Sequence, residues 1–256
     1  MCNLIKSEWM KLRKSLPLRV LSILMLAFSV VSSLSSLSYV NSPYQKELEI
    51  ALSGFDAFFS SMRDMPTIAM IGVIAIAFVI CADFENRTLQ AEISAGHSRI
   101  AILISKMFAF SLAYLVAYLP YPLGRAVLQG FFFDLGAPVS LTAILHMSAS
   151  FLVVLLTGIA VNSVVFFLAF TLRRAVLVTG IGFIAVVLGG TALMSFTLTT
   201  PALGALMANT PVGFFRALSL AHYEPAMLAK AAVIDLLCIC LALGLCYLCF
   251  RRAELK

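Results

Sequence analysis

Charged residues are scarce in this chain of 256 residues, where Lys, Arg, Asp and Glu together make up only 12%. They gather in short clusters, and long segments contain none of them: 20–45, 65–82, 107–124, 135–172 and 175–215. Soluble domains are about 45–50% apolar, and the 62% found here exceeds what a soluble core holds. The shortage of charge therefore excludes an ordinary soluble protein and favours one that crosses a membrane several times.

Catalytic sequence patterns are missing as well. The chain has only three His residues, and it lacks the HExxH of zinc proteases, the GxSxG of serine hydrolases and the GxxxxGK[ST] loop that binds nucleoside phosphates. Cys246 and Cys249 have a metal-like spacing but lie in an apolar stretch, where Cys behaves as a small apolar residue. We therefore expect no catalytic residue, no metal and no cofactor, and any ATP has to be bound by a partner subunit.

The uncharged runs predict an all-α polytopic membrane protein with six transmembrane helices, because a bilayer core takes roughly 20 apolar residues per helix. We place the helices at about 18–38, 66–82, 103–123, 145–170, 175–198 and 229–250. The whole chain, 1–256, then forms a single transmembrane domain.

Lys and Arg set the predicted orientation, because they are enriched on the cytoplasmic side of membrane proteins. With the N-terminus inside, 13 of the 18 basic residues fall in cytoplasmic segments and five fall outside. Both termini are therefore predicted to be cytoplasmic. We attribute the net charge of +6 to attraction by membrane lipids of the inner leaflet and not to nucleic acid, because no basic stretch is interleaved with stacking aromatic residues.

Residues 1–17 predict an amphipathic helix that lies on the cytoplasmic leaflet. Leu4, Ile5, Trp9 and Leu12 recur at helical spacing, and Lys and Arg surround them. Trp is typical of the headgroup level of a membrane. A basic anchor with no further role explains the same pattern, and both interpretations stay open.

The predicted cytoplasmic loop 83–100 is our candidate docking site for a cytoplasmic partner. Helix-start residues precede an amphipathic stretch, and Gly96 then ends the helix. The candidate contact residues are Phe84, Glu85, Arg87, Thr88, Leu89, Glu92, Ile93, Gly96 and Arg99. An ordinary solvated loop is the alternative.

Two segments on the predicted outer side are expected at the membrane surface. Residues 199–228 hold three Pro residues and predict a broken, partly re-entrant excursion. Residues 44–62 predict an interfacial helix, because five apolar residues share one face: Leu48, Leu52, Phe55, Phe59 and Met62.

Asp235 and Asn162 are the polar residues within the spans that we consider for a function. An ionisable residue inside a membrane is a functional candidate by default. We expect Asp235 about two turns into the last helix, close enough to the outer surface to be hydrated. Asn162 is equally consistent with a hydrogen bond between helices.

Four segments along the chain form a characteristic arrangement: IKSEWMKLRK at 5–14, DFENRT at 83–88, GHSR at 96–99 with Lys106 after it, and FRRAELK at 250–256. This arrangement resembles the ABC-2 type permeases, the membrane subunits of ATP-driven exporters, in particular the bacitracin-type and lantibiotic-immunity permeases. Arg87 departs from the pattern, since relatives often carry Gly there.

The resemblance implies that 83–100 is the coupling region against which a separate ABC ATPase subunit pushes. It also implies a second permease copy or paralogue, a bacterial cytoplasmic membrane, and export of an amphipathic peptide antibiotic, lipid or drug. The alternative from another class is a stand-alone carrier driven by an ion gradient, which would require Asp235, or a membrane scaffold protein.

Overall fold

A computed structural model of the chain describes residues 2–39, 53–62, 64–136, 140–218 and 225–252. Almost all of these residues are helical, and none of the described residues lies in a strand. In chain order the helices are α1 (Cys2–Lys14), α2 (Leu16–Tyr39), α3 (Gly54–Ser61), α4 (Met65–Ile76), α5 (Ala82–Glu85), α6 (Thr88–Ser94), α7 (Arg99–Tyr118), α8 (Pro120–Phe133), α9 (Leu141–Leu172), α10 (Ala175–Gly182), α11 (Gly189–Thr199), α12 (Pro201–Met207), α13 (Pro211–Leu218) and α14 (Pro225–Arg252). A π-helical segment, Ala77–Cys81, connects α4 to α5, and a second, Phe183–Leu188, connects α10 to α11.

Six helical stretches of the described chain are long and apolar enough to cross a membrane. They are Leu16–Leu37, Thr67–Glu85, Arg99–Phe133, Leu141–Leu172, Ala175–Leu193 and Ala226–Arg251. Each overlaps one predicted span, so the all-α architecture with six such helices is confirmed. The third stretch is longer than predicted because α8 follows α7 after a single residue, Leu119, and Pro120 is well accommodated in the first turn of a helix.

Residue types at the helix starts explain where several helices begin. Ser53, Ser98 and Ser140 precede α3, α7 and α9, and each Oγ accepts a backbone N–H three residues later, at 3.1, 3.3 and 3.1 Å. Four helices begin at a proline, namely α8, α12, α13 and α14. The expected break within 199–228 is present, since α12 and α13 are two short helices that each start at such a proline.

α9 is the central helix of the bundle. α14 lies along it over the most extensive helix–helix contact of the described chain, and α4 and α13 also pack against it. Tyr118 of α7 stacks on Phe151 of α9 with ring centroids 5.7 Å apart. A Cβ added to Gly158 would lie 2.1 Å from the hydroxyl of Tyr114, so the absence of a side chain lets α9 approach α7 closely.

The predicted surface helix at 44–62 is observed in part. α3 is a helix within this range, whereas Leu48 and Leu52 lie outside the described residues. α3 packs against α8, and Phe59 and Met62 are fully buried. The expectation that these two residues lie on the membrane surface was wrong, because their apolar face is covered by the bundle itself.

Candidate functional site

Charged residues from distant parts of the chain meet at one end of the helix bundle. We call this region the charged end, and it comprises α1, residues 82–99 and Lys106 of α7, the turn 173–175 and the last residues of α14. Lys106 is 0% exposed, although Lys is among the residues least often buried. Its partners define the geometry of the site.

The ammonium group of Lys106 donates to three carboxylates that come from three different helices. Its Nζ lies 2.6 Å from Glu8 Oε1 of α1, 2.5 Å from Asp83 Oδ2 of α5 and 3.0 Å from Glu92 Oε1 of α6. Burying an ion without partners in a protein interior costs on the order of several kcal/mol. These three contacts therefore make the burial of Lys106 tolerable and join α1, α5 and α6 to α7.

Lys11 adds a second ammonium group to the same cluster. Its Nζ lies 2.9 Å from Glu8, 3.2 Å from Asp83 and 3.5 Å from Glu92. Burial alone would lower the pKa of Lys11, but the hydrogen bond to Glu8 and the charges of Asp83 and Glu8 raise this pKa well above its ordinary value. Thr88 Oγ1 donates to Asp83 Oδ1 at 2.6 Å. Three carboxylates and two ammonium groups leave one formal negative charge on the cluster.

The three carboxylates have the spacing of a metal site. Oxygen atoms of Glu8, Asp83 and Glu92 lie within 4.8 Å of one another. Lys106 Nζ, however, is within hydrogen-bonding distance of all three and occupies the place that a cation would take. The geometry is that of an ion-pair cluster.

The turn between α9 and α10 holds α5 from another side. Glu85 Oε1 accepts the backbone N–H of Ala175 at 2.9 Å, which satisfies a free donor in the first turn of α10. The Arg173 guanidinium lies over the Phe84 ring at 5.9 Å, and this ring packs edge-on against Phe170 of α9 at 5.3 Å. α5 is therefore attached to α9 and α10 as well as to α7.

Arg99, at the start of α7, contacts the end of α14. Its Nη1 donates to the backbone carbonyl oxygens of Phe250 and Arg251, the second at 3.0 Å. Its guanidinium also lies over the Phe250 ring at 5.4 Å. A cation is favourable at the C-terminal end of a helix, where the last carbonyls lack helical partners. The end of α14 is thus held at the same end of the bundle as α1.

The candidate contact residues of the loop divide into two groups. The buried or half-buried ones are Phe84, Thr88, Leu89, Glu92, Ile93 and Arg99, and the exposed ones are Glu85, Arg87 and Gly96. Gly96 has φ 85 and ends the helical segment, as predicted. One side of the loop therefore packs on the bundle and the other side is exposed.

Arg87 divides the loop into two short helices. It adopts a left-handed backbone conformation, with φ 57 and ψ 19, between α5 and α6. This conformation favours Gly, since another residue loses roughly 1–2 kcal/mol there.

α1 packs against the bundle with a face that holds two leucines and a glutamate. Leu4, Glu8 and Leu12 are its buried residues, whereas Trp9 is 48% exposed. Glu8 lies on this inner face, where it pairs with Lys106. This cluster was not predicted from the sequence, and the available signal was Lys106 itself, which falls inside the predicted span 103–123, where a cation needs a partner.

Asp235 and Asn162 lie apart from the charged end. Asp235 is 0% exposed, so the expectation that it is hydrated was wrong: α9 covers it. Its Oδ2 accepts the hydroxyl of Thr157 at 2.6 Å, and Oδ1 has no hydrogen-bond partner among the described residues. Asn162 Nδ2 donates to the backbone carbonyl of Gly158 in its own helix at 2.9 Å. The Asn162 amide N–H therefore does not form the interhelical hydrogen bond considered above. The Asn162 side chain packs against Gly72 of α4.

No protein-family model matches this chain, and no curated protein matches it. The functional interpretation therefore depends on the residues and contacts described above.

Proposed function

We propose that this chain is the membrane-spanning permease subunit of an ATP-binding cassette exporter of the ABC-2 type. A separate ATPase subunit docks on the charged end, and a second permease, identical or paralogous, completes the assembly. The observation that carries the proposal is the attachment of one exposed loop to four helices. Residues 82–98 contact α1, α7, α9 and α10 through the ion pairs, hydrogen bonds and ring contacts described above.

The outer side of the loop offers a surface to a partner protein. Its exposed residues combine a carboxylate, an amide and a guanidinium with small side chains: Glu85, Asn86, Arg87, Ala91, Ser94 and Ala95. Such a surface supports contact with a soluble subunit, because its charged and amide groups are exposed in the isolated chain and are available to a partner protein.

The inner side of the loop favours transmission of a displacement to the bundle. Three carboxylates surround one buried ammonium group, so α5 and α6 cannot shift without carrying Glu8 or Lys106 with them or separating these charges. α5 also continues directly into α4 through the π-helical segment Ala77–Cys81, and π-helical turns are frequent at functional sites. In the proposed mechanism, closure of the ATPases moves the loop and opens an outward path for an amphipathic peptide, lipid or drug.

The proposal puts the charged end in the cytoplasm of a bacterial cell, with the six apolar helices in the cytoplasmic membrane. The excess of Lys and Arg in these segments supports this orientation. ATP is available on that side, and the chain itself has no phosphate-binding loop.

The first test is recovery of the full chain from its native membrane in mild detergent, with the co-purifying proteins identified by mass spectrometry. The proposal expects an ATPase with a GxxxxGK[ST] loop in a fixed ratio to the chain. Recovery of the chain alone in several detergents would contradict it.

A charge-removal variant then tests the docking surface. The variant is Glu85→Gln combined with Arg87→Gln. The first change keeps a side-chain oxygen that accepts the Ala175 N–H, and the second keeps an unbranched polar side chain at the left-handed position. We expect normal accumulation in the membrane but a several-fold loss of ATP hydrolysis that depends on the permease. Asp134→Asn with Lys230→Gln is the control, since it removes one acid and one base that are exposed elsewhere in the chain. Equal hydrolysis in both variants would defeat the assignment of docking to Glu85 and Arg87.

Asp235 favours the second candidate, a carrier driven by an ion gradient. Its carboxyl is buried within a candidate span with one oxygen unpartnered among the described residues, which is a feature of ion and proton pathways. Such a carrier transports its substrate without an ATPase and is inhibited by proton or sodium uncouplers. The Asp235→Asn variant is expected to lose transport. Uncoupler-resistant transport that needs ATP would rule it out.

A further inference from the structure

A groove of about 460 Å³ lies between α1, α2 and α7, outside the ion-pair cluster. This volume falls in the range of roughly 300–1,000 Å³ that is typical of ligand pockets. Its walls combine aromatic, aliphatic and basic side chains, among them Trp9, Arg13, Leu18, Arg19, Leu112 and Val116.

Two arginines line this groove, and neither is in an ion pair. All ion pairs among the described residues involve Lys11 or Lys106. Arg13 and Arg19 therefore have no carboxylate oxygen from a described residue within 4.0 Å. Arg19 Nη2 donates to the backbone carbonyl of Arg13 at 2.7 Å, which keeps the two residues together. A guanidinium group matches the geometry of a phosphate better than an ammonium group does.

The groove is lined mainly by apolar side chains, and Arg13 and Arg19 belong to its lining near the point where α1 gives way to α2. α1 ends at Lys14, and the first candidate span starts at Leu16. Leu112 and Val116 supply the apolar wall, and Val116 is 41% exposed. Positive charge therefore lies at the start of an apolar span, which matches the division of a phospholipid into a charged headgroup and an acyl chain.

We propose that this groove binds one anionic glycerophospholipid from the surrounding membrane. The lipid phosphate contacts Arg13 and Arg19, and one acyl chain lies along Leu112 and Val116. Charge complementarity selects an anionic headgroup, and the apolar wall selects a lipid over free phosphate, which would leave that wall uncovered. The proposal requires the membrane location given above but no ATPase, so failure of the pull-down leaves it standing.

Trp9 gives a direct readout, because it lines the groove and is the single Trp of the chain. The full chain is reconstituted in phosphatidylcholine vesicles that contain increasing fractions of phosphatidylglycerol brominated on its acyl chains, or of brominated phosphatidylcholine. Bromine quenches Trp fluorescence at short range. Since each basic residue near an anionic surface contributes roughly fivefold in affinity, the two arginines together are expected to lower the fraction of anionic lipid at half-maximal quenching by roughly 25-fold. Equal quenching by the two lipids would overturn the proposal.

Two double variants separate a specific site from general attraction to an anionic membrane. Arg13→Gln with Arg19→Gln is expected to lose most of the roughly 25-fold preference. Lys6→Gln with Lys14→Gln removes the same charge from exposed positions of α1 that do not line the groove, and it is expected to keep the preference. An equal loss in both variants would show attraction by the surface alone and would overturn the site.

A third variant tests the apolar wall without changing any charge. Val116→Phe fills part of the groove on the lipid side of α7. Quenching by the brominated anionic lipid is expected to fall several-fold, with the Trp9 emission in unbrominated vesicles unchanged. Undiminished quenching would mean that the acyl chain does not lie along this wall, and the proposal would fail.

Discussion

Buried carboxyl groups occur in two regions of the part of the chain that the structure describes, and only one of these regions pairs them with cations. At the charged end, Glu8, Asp83 and Glu92 each face an ammonium group. Between α9 and α14, Asp235 has one hydroxyl, that of Thr157, and no cation within 4.0 Å among the described residues. Removing one partner of a buried ion pair leaves an uncompensated charge, whereas an isolated buried carboxyl has no pair to break. In the first region ion pairs therefore connect the helices, whereas in the second region no ion pair connects the described residues of α9 to those of α14.

Lys106→Met gives the largest expected effect, because it leaves three carboxylates around Lys11 alone. We expect a loss of about 3–5 kcal/mol in the free energy of unfolding, the usual consequence of breaking a buried pair. The measurement is thermal unfolding of the detergent-purified chain, followed by the fluorescence of Trp9. Lys14→Met is the control at an exposed position of α1 and should change stability by less than about 0.5 kcal/mol. Similar melting of both variants would remove the distinction between the two regions.

A paired replacement of aspartate by asparagine compares the two regions directly. Asp83→Asn removes a charge that binds Lys106, and we expect a loss of roughly 1.5–3 kcal/mol, the range for a hydrogen bond to a charged group. Asp235→Asn keeps an acceptor for Thr157 and removes a charge without a cationic partner, so we expect a change below about 1 kcal/mol. The same melting experiment measures both, and a larger loss at Asp235 than at Asp83 would reverse the comparison.

Arg87→Gly is expected to stabilise the charged end slightly. Glycine relieves the left-handed strain of roughly 1–2 kcal/mol but increases the entropy of the unfolded chain by the equivalent of about 0.5–1 kcal/mol. The expected gain is therefore about 0.5–1 kcal/mol. Asn86→Gly is the matched control, because Asn86 has an ordinary φ of −86 and should show no gain. Destabilisation by Arg87→Gly would mean that the exposed guanidinium matters more to folding than the backbone does.

The six apolar helices were predictable because each depends on a continuous run of neighbouring residues. Uncharged segments long enough for a bilayer identify such helices without knowledge of the fold. The end of the loop helix at Gly96 and the two helices within 199–228 follow in the same way from Gly and Pro. The permease function and the docking role of the loop remain predictions, and the experiments above address them.

The ion-pair cluster was not predictable, because its members are distant in sequence. Glu8 and Lys106 are separated by 98 positions and Asp83 and Lys106 by 23. The helical spacing of α1 does not indicate that Glu8 faces inward, because its partner Lys106 lies on another helix. Asp235 shows the same difficulty, since its distance from the helix end suggested water, whereas α9 covers it.

The amino-acid sequence by itself determined the number of apolar helices and several of their starts and ends, because these depend on local runs, caps and prolines. Only the tertiary structure decided which charges are buried, which partners compensate them and which face of α1 packs inward. The physical reason is that the energy of an ion pair depends on the distance between two groups, and helical periodicity does not specify which helix lies beside another.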